Sequence, residues 1–207
     1  MNSKFRQSPI EVELKFRVEN PAALWQQLVQ MGAVVGPGEA HQDLYFRHPC
    51  RDFVQTREAL RIRRVTLTRA GSGAQTESEQ ESRVTYKGPH LPGEIKARQE
   101  LEWTLNPGDP QGDHLQELLT RLGFEAVTTV VKNRRSVSLA REGREVTVAL
   151  DEVQQVGSYA EVEVLATGES DVETARQTVS RLANELGLTD HEPRSYLAML
   201  LHHTAAG

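Results

Sequence analysis

Long apolar runs are missing from this 207-residue chain, so no segment reads as a helix able to span a bilayer. The opening Met1-Asn2-Ser3-Lys4-Phe5-Arg6-Gln7 also lacks the apolar core of a secretory signal. Cysteine is almost absent. Cys50 alone excludes an internal disulfide and a thiolate-rich metal centre, and points to a reducing compartment. Nor is there an excess of positive charge: a formal net charge of -5 argues against broad nucleic-acid binding, so an anionic partner should be small and enclosed. No period of roughly twenty to fifty residues repeats, which argues against a solenoid. These absences leave a soluble, cytoplasmic protein with no membrane or nucleic-acid partner. It is expected to be one domain over 1–207, large enough to bury a core without staples, with a homodimer among the allowed assemblies.

What the chain does have is alternation. In Ile10-Glu11-Val12-Glu13-Leu14-Lys15-Phe16-Arg17-Val18 an extended backbone sends the apolar residues to one face and Glu11, Glu13, Lys15 and Arg17 to the other. A half-exposed strand would show the same pattern, but later segments repeat it with acids and bases together on the polar face. Strands are expected at about 42–47, 59–69, 83–87, 96–105, 127–140, 145–153 and 159–165, making eight in all. Helices are expected after the Asn20-Pro21 start, around Leu115 to Leu122, over 171–186, and from near Pro193. The polar, low-complexity stretch 70–82 reads as a flexible excursion within a hairpin, and Asn106-Pro107-Gly108-Asp109-Pro110 as a turn. Trp103, on the apolar parity of its strand, is expected in the outer core. His41, His48 and Cys50 lack a third partner at metal-site spacing, and the seven histidines, scattered over loops and helix ends, mark no general base.

Eight strands is the size at which an antiparallel barrel closes around side chains or one small ligand. The fold expected is therefore α+β: a closed eight-stranded antiparallel barrel with a charged interior and helices packed outside. Burying so many charges as bare ion pairs would cost several kcal/mol per ion, about what a hydrated bore holding cations and phosphates avoids. Paired arginines such as Arg61 and Arg63 suit phosphate oxygens, although a solvated basic edge would look alike in one strand. Carboxylate oxygens suit Mg²⁺ or Mn²⁺.

Glu11-Val12-Glu13-Leu14-Lys15 resembles the Glu-x-Glu-x-Lys signature of the CYTH, or triphosphate tunnel metalloenzyme, superfamily. Leu60-Arg61-Ile62-Arg63, Tyr86-Lys87-Gly88-Pro89, Lys132-Asn133-Arg134, Asp151 and Tyr159-Ala160-Glu161-Val162-Glu163 resemble its later motifs in order, over about 10–201. The spacing from Asp151 through Gly157 to Glu161, and the tail Glu192-Pro193-Arg194-Ser195-Tyr196, resemble the class IV adenylyl cyclases, although the 70–82 insertion departs from that branch. Arg61, Arg63 and the strand from Lys96 to Glu102 also fit the triphosphatases that hydrolyse thiamine triphosphate or inorganic tripolyphosphate. The resemblance implies that Glu11, Glu13, Asp151, Glu161 and Glu163 hold Mg²⁺ or Mn²⁺. It implies that Lys15, Arg61, Arg63, Lys87, Lys132 and Arg134 grip ATP or another small triphosphate. A non-catalytic polyphosphate-binding module would need the bases but not so many acids on neighbouring strands.

Overall fold

The computed structural model describes residues 9–70, 76–105 and 108–205. Of the stretches read above, Met1–Gln7, residues 71–75 and Asn106-Pro107 lie outside them. Among the described residues there are eight strands: β1 (Ile10–Arg17), β2 (Val34–Arg47), β3 (Ala59–Ala70), β4 (Thr76–Lys87), β5 (Lys96–Thr104), β6 (Glu125–Arg141), β7 (Arg144–Val153) and β8 (Gly157–Ala166). All neighbours are antiparallel, and the sheet closes in the order β1-β5-β4-β3-β2-β6-β7-β8. This is the expected barrel. Helices α1 (Pro21–Gln30), α2 (Phe53–Thr56), α3 (Asp113–Arg121), α4 (Val172–Glu185) and α5 (Tyr196–Ala205) pack around it.

β1 shows why alternation need not mean exposure. Its residues from Ile10 to Phe16 are all buried, and only Arg17 reaches solvent. The outward set, Ile10, Val12, Leu14 and Phe16, joins Val148, Val162 and Val164 of the neighbouring strands. α4 covers this face with Val172, Ala175, Val179 and Leu182, and α1 adds Leu24 and Leu28. The inward set faces the bore. α1 begins as its sequence dictates: the Asn20 side chain accepts from the Ala23 N–H at 3.0 Å, proline occupies the first turn, and Gly32 at φ +78° ends it.

Four expectations need correction. β2 begins at Val34, well before 42, because Gly36-Pro37-Gly38 masks a strand signal; the register shift between Val35 and Gly38 accommodates the proline. The flexible reading of 70–82 does not hold over 76–82, which pairs along β3 as the first half of β4. Trp103 is 55% exposed, because the outer face of β5 beyond Gln99 is uncovered. Arg17, on the polar parity of β1, points to solvent rather than into the bore.

The apolar shell outside the barrel makes a direct stability prediction. Leu182→Ala, in the α4 contact, should cost about 2–5 kcal/mol in urea unfolding. Leu165→Ala, at a position 61% exposed, should change stability by less than about 0.5 kcal/mol.

Candidate functional site

The bore forms a cavity of about 1640 Å³ lined by side chains from every strand and from α5. Its charges are organised in three groups. On β1 and β8, Glu11, Glu13 and Glu163 converge, with one oxygen of each lying within 4.8 Å of the others. Register explains this: Glu13 stands opposite Glu163, two residues along β1 from Glu11. Lys87 from β4 bonds Glu11 at 2.6 Å and also lies 2.6 Å from Glu100, while Lys96 from β5 donates to Glu13 at 3.1 Å.

The second group surrounds Asp151 of β7. Arg134 grips both its oxygens at 2.7 and 2.6 Å, and Lys132 donates at 2.8 Å. Arg134 also bonds Glu161, which lies 3.5 Å from Lys15. The third group centres on Asp43 of β2. Arg63 binds it through two parallel bonds at 2.6 and 2.8 Å, and Arg61 adds a third at 3.2 Å. Arg61 also donates to the Thr85 hydroxyl, which in turn donates to Glu102 at 2.7 Å.

Burial and neighbouring charge set the protonation of these groups. Burial pushes the Glu11 carboxyl up and Glu100 adds to the rise, which the opposing Lys87 does not cancel. Burial and the crowding of Glu11, Glu161 and Glu13 hold Glu163 well above the usual carboxylate range despite Arg134. Glu13 goes the other way: burial and Glu11 raise it, but Lys87 and Lys96 prevail. Burial also works against Glu161 and Asp43, but the surrounding bases hold both well down, Arg134, Lys15 and Lys132 for Glu161 and Arg63 and Arg61 for Asp43. Lys132 is pushed down to about 8 by burial and by Arg134. The fit of the donor set to a metal ion follows. Three carboxyls converge, and all-oxygen donors suit a hard divalent cation.

The C-terminal segment closes part of the bore. Asp190 and Glu192 exchange backbone hydrogen bonds with Arg17 and Lys15, each at 2.8 Å, which continues the pairing beside β1. Lys15 Nζ then donates to the Arg194 carbonyl at 2.9 Å and lies 4.0 Å from the centre of the Tyr196 ring. Lys132 approaches the same ring at 5.0 Å. Where α2 and α5 reach the cavity, Phe53, Val54, Leu197 and Leu201 line it beside Arg51, Asp52, Arg57 and Glu58.

Residues 9–196 match the CYTH domain family. The chain belongs to that family. A relative from Methanocaldococcus jannaschii, provisionally named an adenylate cyclase, is 27% identical over 154 residues, covering 74% of this chain and 76% of its own. The structure is similar to that of a Pyrococcus horikoshii OT3 protein, 35% identical with a TM-score of 0.78, covering 93% of this chain and 98% of that one. It shares the fold of a Hippeastrum protein named as an adenylyl cyclase candidate and described as having a dominant triphosphatase activity. That chain is 18% identical with a TM-score of 0.60, covering 92% of this chain and 93% of its own.

Every site residue expected from the sequence lines the CYTH bore or is bonded within it. The structure brings Glu11, Glu13 and Glu163 together, whereas Asp151 and Glu161 are engaged by Lys132, Arg134 and Lys15. Sequence reasoning missed Asp43, Glu39 and His41 as bore residues, although all three share one parity of β2. Among the described residues, no helix is long and apolar enough to cross a membrane.

Asp43 makes a prediction of its own. Asp43→Asn leaves two buried guanidinium groups without their counter-charge and should destabilise the fold by about 3–5 kcal/mol, measurable by chemical unfolding.

Proposed function

We propose that the protein is a divalent-cation-dependent class IV adenylyl cyclase that converts ATP to cyclic AMP and pyrophosphate. The observation that carries this reading is one cavity that holds a carboxylate cluster, an array of bases and, from α2 and α5, a set of apolar side chains among polar ones. A bare tripolyphosphate would use only the charged part. ATP uses both, with its phosphates among the bases and its nucleoside toward Phe53, Val54, Leu197 and Leu201. The name of the Methanocaldococcus relative agrees with this reading.

Glu11, Glu13 and Glu163 would hold Mg²⁺ or Mn²⁺, which supplies Lewis acidity and offsets phosphate charge when bound. Lys15, Arg61, Arg63, Lys87, Lys132 and Arg134 would bind and orient the triphosphate chain. Asp151 and Glu161 hold Lys132, Arg134 and Lys15 in place, so their part in this chain is to position bases as well as to add negative charge near the metal. In the reaction, the ribose 3'-oxygen bonds to the α-phosphorus, the bond from that phosphorus to the α,β-bridging oxygen breaks, and pyrophosphate leaves with the electron pair. Fixed cations along the bore stabilise the charge that develops on the leaving group.

A second reading, hydrolysis of thiamine triphosphate or tripolyphosphate, is favoured by the Hippeastrum protein's described activity on the same fold. ATP and 3'-deoxy-ATP separate the two. The cyclase reading predicts cyclic AMP and pyrophosphate from ATP and no turnover of the 3'-deoxy analogue, whose nucleophile is missing. Orthophosphate from both nucleotides, with faster release from tripolyphosphate, would replace it with the hydrolytic reading.

The binding roles predict a separate pattern. Turnover should vanish in chelator and in Glu11→Gln or Glu13→Gln, with the unfolding transition retained. Alanine at Arg61, Lys87 or Lys132 should weaken inhibition by tripolyphosphate by roughly 1.5–3 kcal/mol each, the size of a charge-assisted hydrogen bond. Equal inhibition across those variants would place phosphate recognition elsewhere.

A further inference from the structure

His41 is a base within the bore that the scheme above leaves unused. It lies on β2, is 1% exposed and lines the cavity. Its Nε2 is 2.5 Å from a Glu39 carboxylate oxygen, two residues earlier on the same face of the strand. Its Nδ1 is buried and has no hydrogen-bond partner. The groups around the pair are Asp43 on β2, Arg63 on β3, Arg83 on β4, and Lys132 and Arg134 on β6. Burial lowers the His41 pKa to about 3, and Arg63, Lys132 and Arg134 push the same way against Glu39. Glu39 is ionised: burial works against its charge, but the bond to His41 and the fields of Arg134 and Arg83 outweigh it.

A neutral imidazole has one proton to donate, and Glu39 is the acceptor at hand. The proton therefore resides on Nε2, which leaves Nδ1 as a bare acceptor. An unmet buried acceptor is costly, so the arrangement favours an occupant that brings a donor. The phosphates of a triphosphate bring only acceptors. An attacking hydroxyl brings a donor.

We infer that His41, oriented by Glu39, is the general base that takes the proton from the attacking hydroxyl. The inference rests on the cyclase reading for the identity of that hydroxyl, the ribose 3'-OH. As the 3'-oxygen bonds to the α-phosphorus, its proton passes to Nδ1, and pyrophosphate departs with the electrons of the broken bond. The imidazolium so formed is paired with Glu39 and then releases its proton to water. Arg63, Lys132 and Arg134 disfavour that imidazolium in the empty bore. A bound triphosphate offsets their charge and so raises the proton affinity of His41, working against the burial that is the largest cause of its low value.

His41→Asn tests this, because asparagine keeps an acceptor near the Nδ1 position but cannot take up a proton. Turnover should fall by about 10²–10⁴-fold, the usual contribution of a general base, with inhibition by tripolyphosphate unchanged. Glu39→Gln removes the counter-ion of the imidazolium, so the acid limb of the kcat profile should move to lower pH; a merely structural role would leave it in place. Added imidazole should restore part of the activity of His41→Ala. The inference is overturned if His41→Asn turns over like wild type across the pH range. It is also overturned if lost turnover is matched by lost tripolyphosphate binding, or if the acid limb stays put in Glu39→Gln. Wild-type products decide the cyclase reading independently: if they show hydrolysis, the same ratios report proton removal from the attacking water.

Discussion

The constraint on which this structure depends is the mutual compensation of charges inside a closed sheet. A barrel with an apolar bore would gain stability from burial alone, but this one faces carboxylates, ammonium groups and guanidinium groups inward. Each would be costly alone. Antiparallel register solves the problem by placing acids opposite bases on neighbouring strands: Asp151 opposite Arg134, Asp43 opposite Arg63, Lys87 opposite Glu100 and Glu13 opposite Lys96. The bidentate forks at Asp43 and Asp151 make the bases rigid as well as soluble in the bore. A phosphate that enters meets donors already oriented, so little conformational freedom remains to be lost on binding.

Compensation is uneven, and the unevenness has chemical meaning. The Asp43 and Asp151 groups have more bases than acids in close contact, whereas Glu11, Glu13 and Glu163 converge with their charge incompletely met. One wall of the cavity is therefore suited to anions and another to a cation. On the proposed function, a polyanion with an accompanying metal ion would suit both walls at once.

Much of this was legible from alternation. The period of two in β1, β5 and β8 assigns Glu11, Glu13, Lys15, Lys96, Glu161 and Glu163 to the bore, because a charged parity repeated on strand after strand has to share one side of a closed sheet. Register was not legible, since nothing local tells which residue of β6 stands opposite Asp151. The separation of Glu11, Glu13 and Glu163 from the acids bound to Lys132, Arg134 and Lys15 was accordingly hidden. Glu39 and His41 were obscured for another reason: Gly36-Pro37-Gly38 breaks the propensity of the strand that carries them, and the bulge there preserves the strand where local preference would end it. Trp103 failed in the opposite sense, since its parity was read correctly but no helix covers that part of β5.

The double burial of β1 bears on how this sequence can change. In most strands one face meets water and tolerates drift, but from Ile10 to Phe16 each side chain belongs either to the packed shell or to the bore. The strand offers mutation no neutral position over that length. Variation that preserves function is directed instead to Arg17 and beyond, and a change of cavity shape has to come from other elements, such as α2 and α5, while this strand stays unaltered.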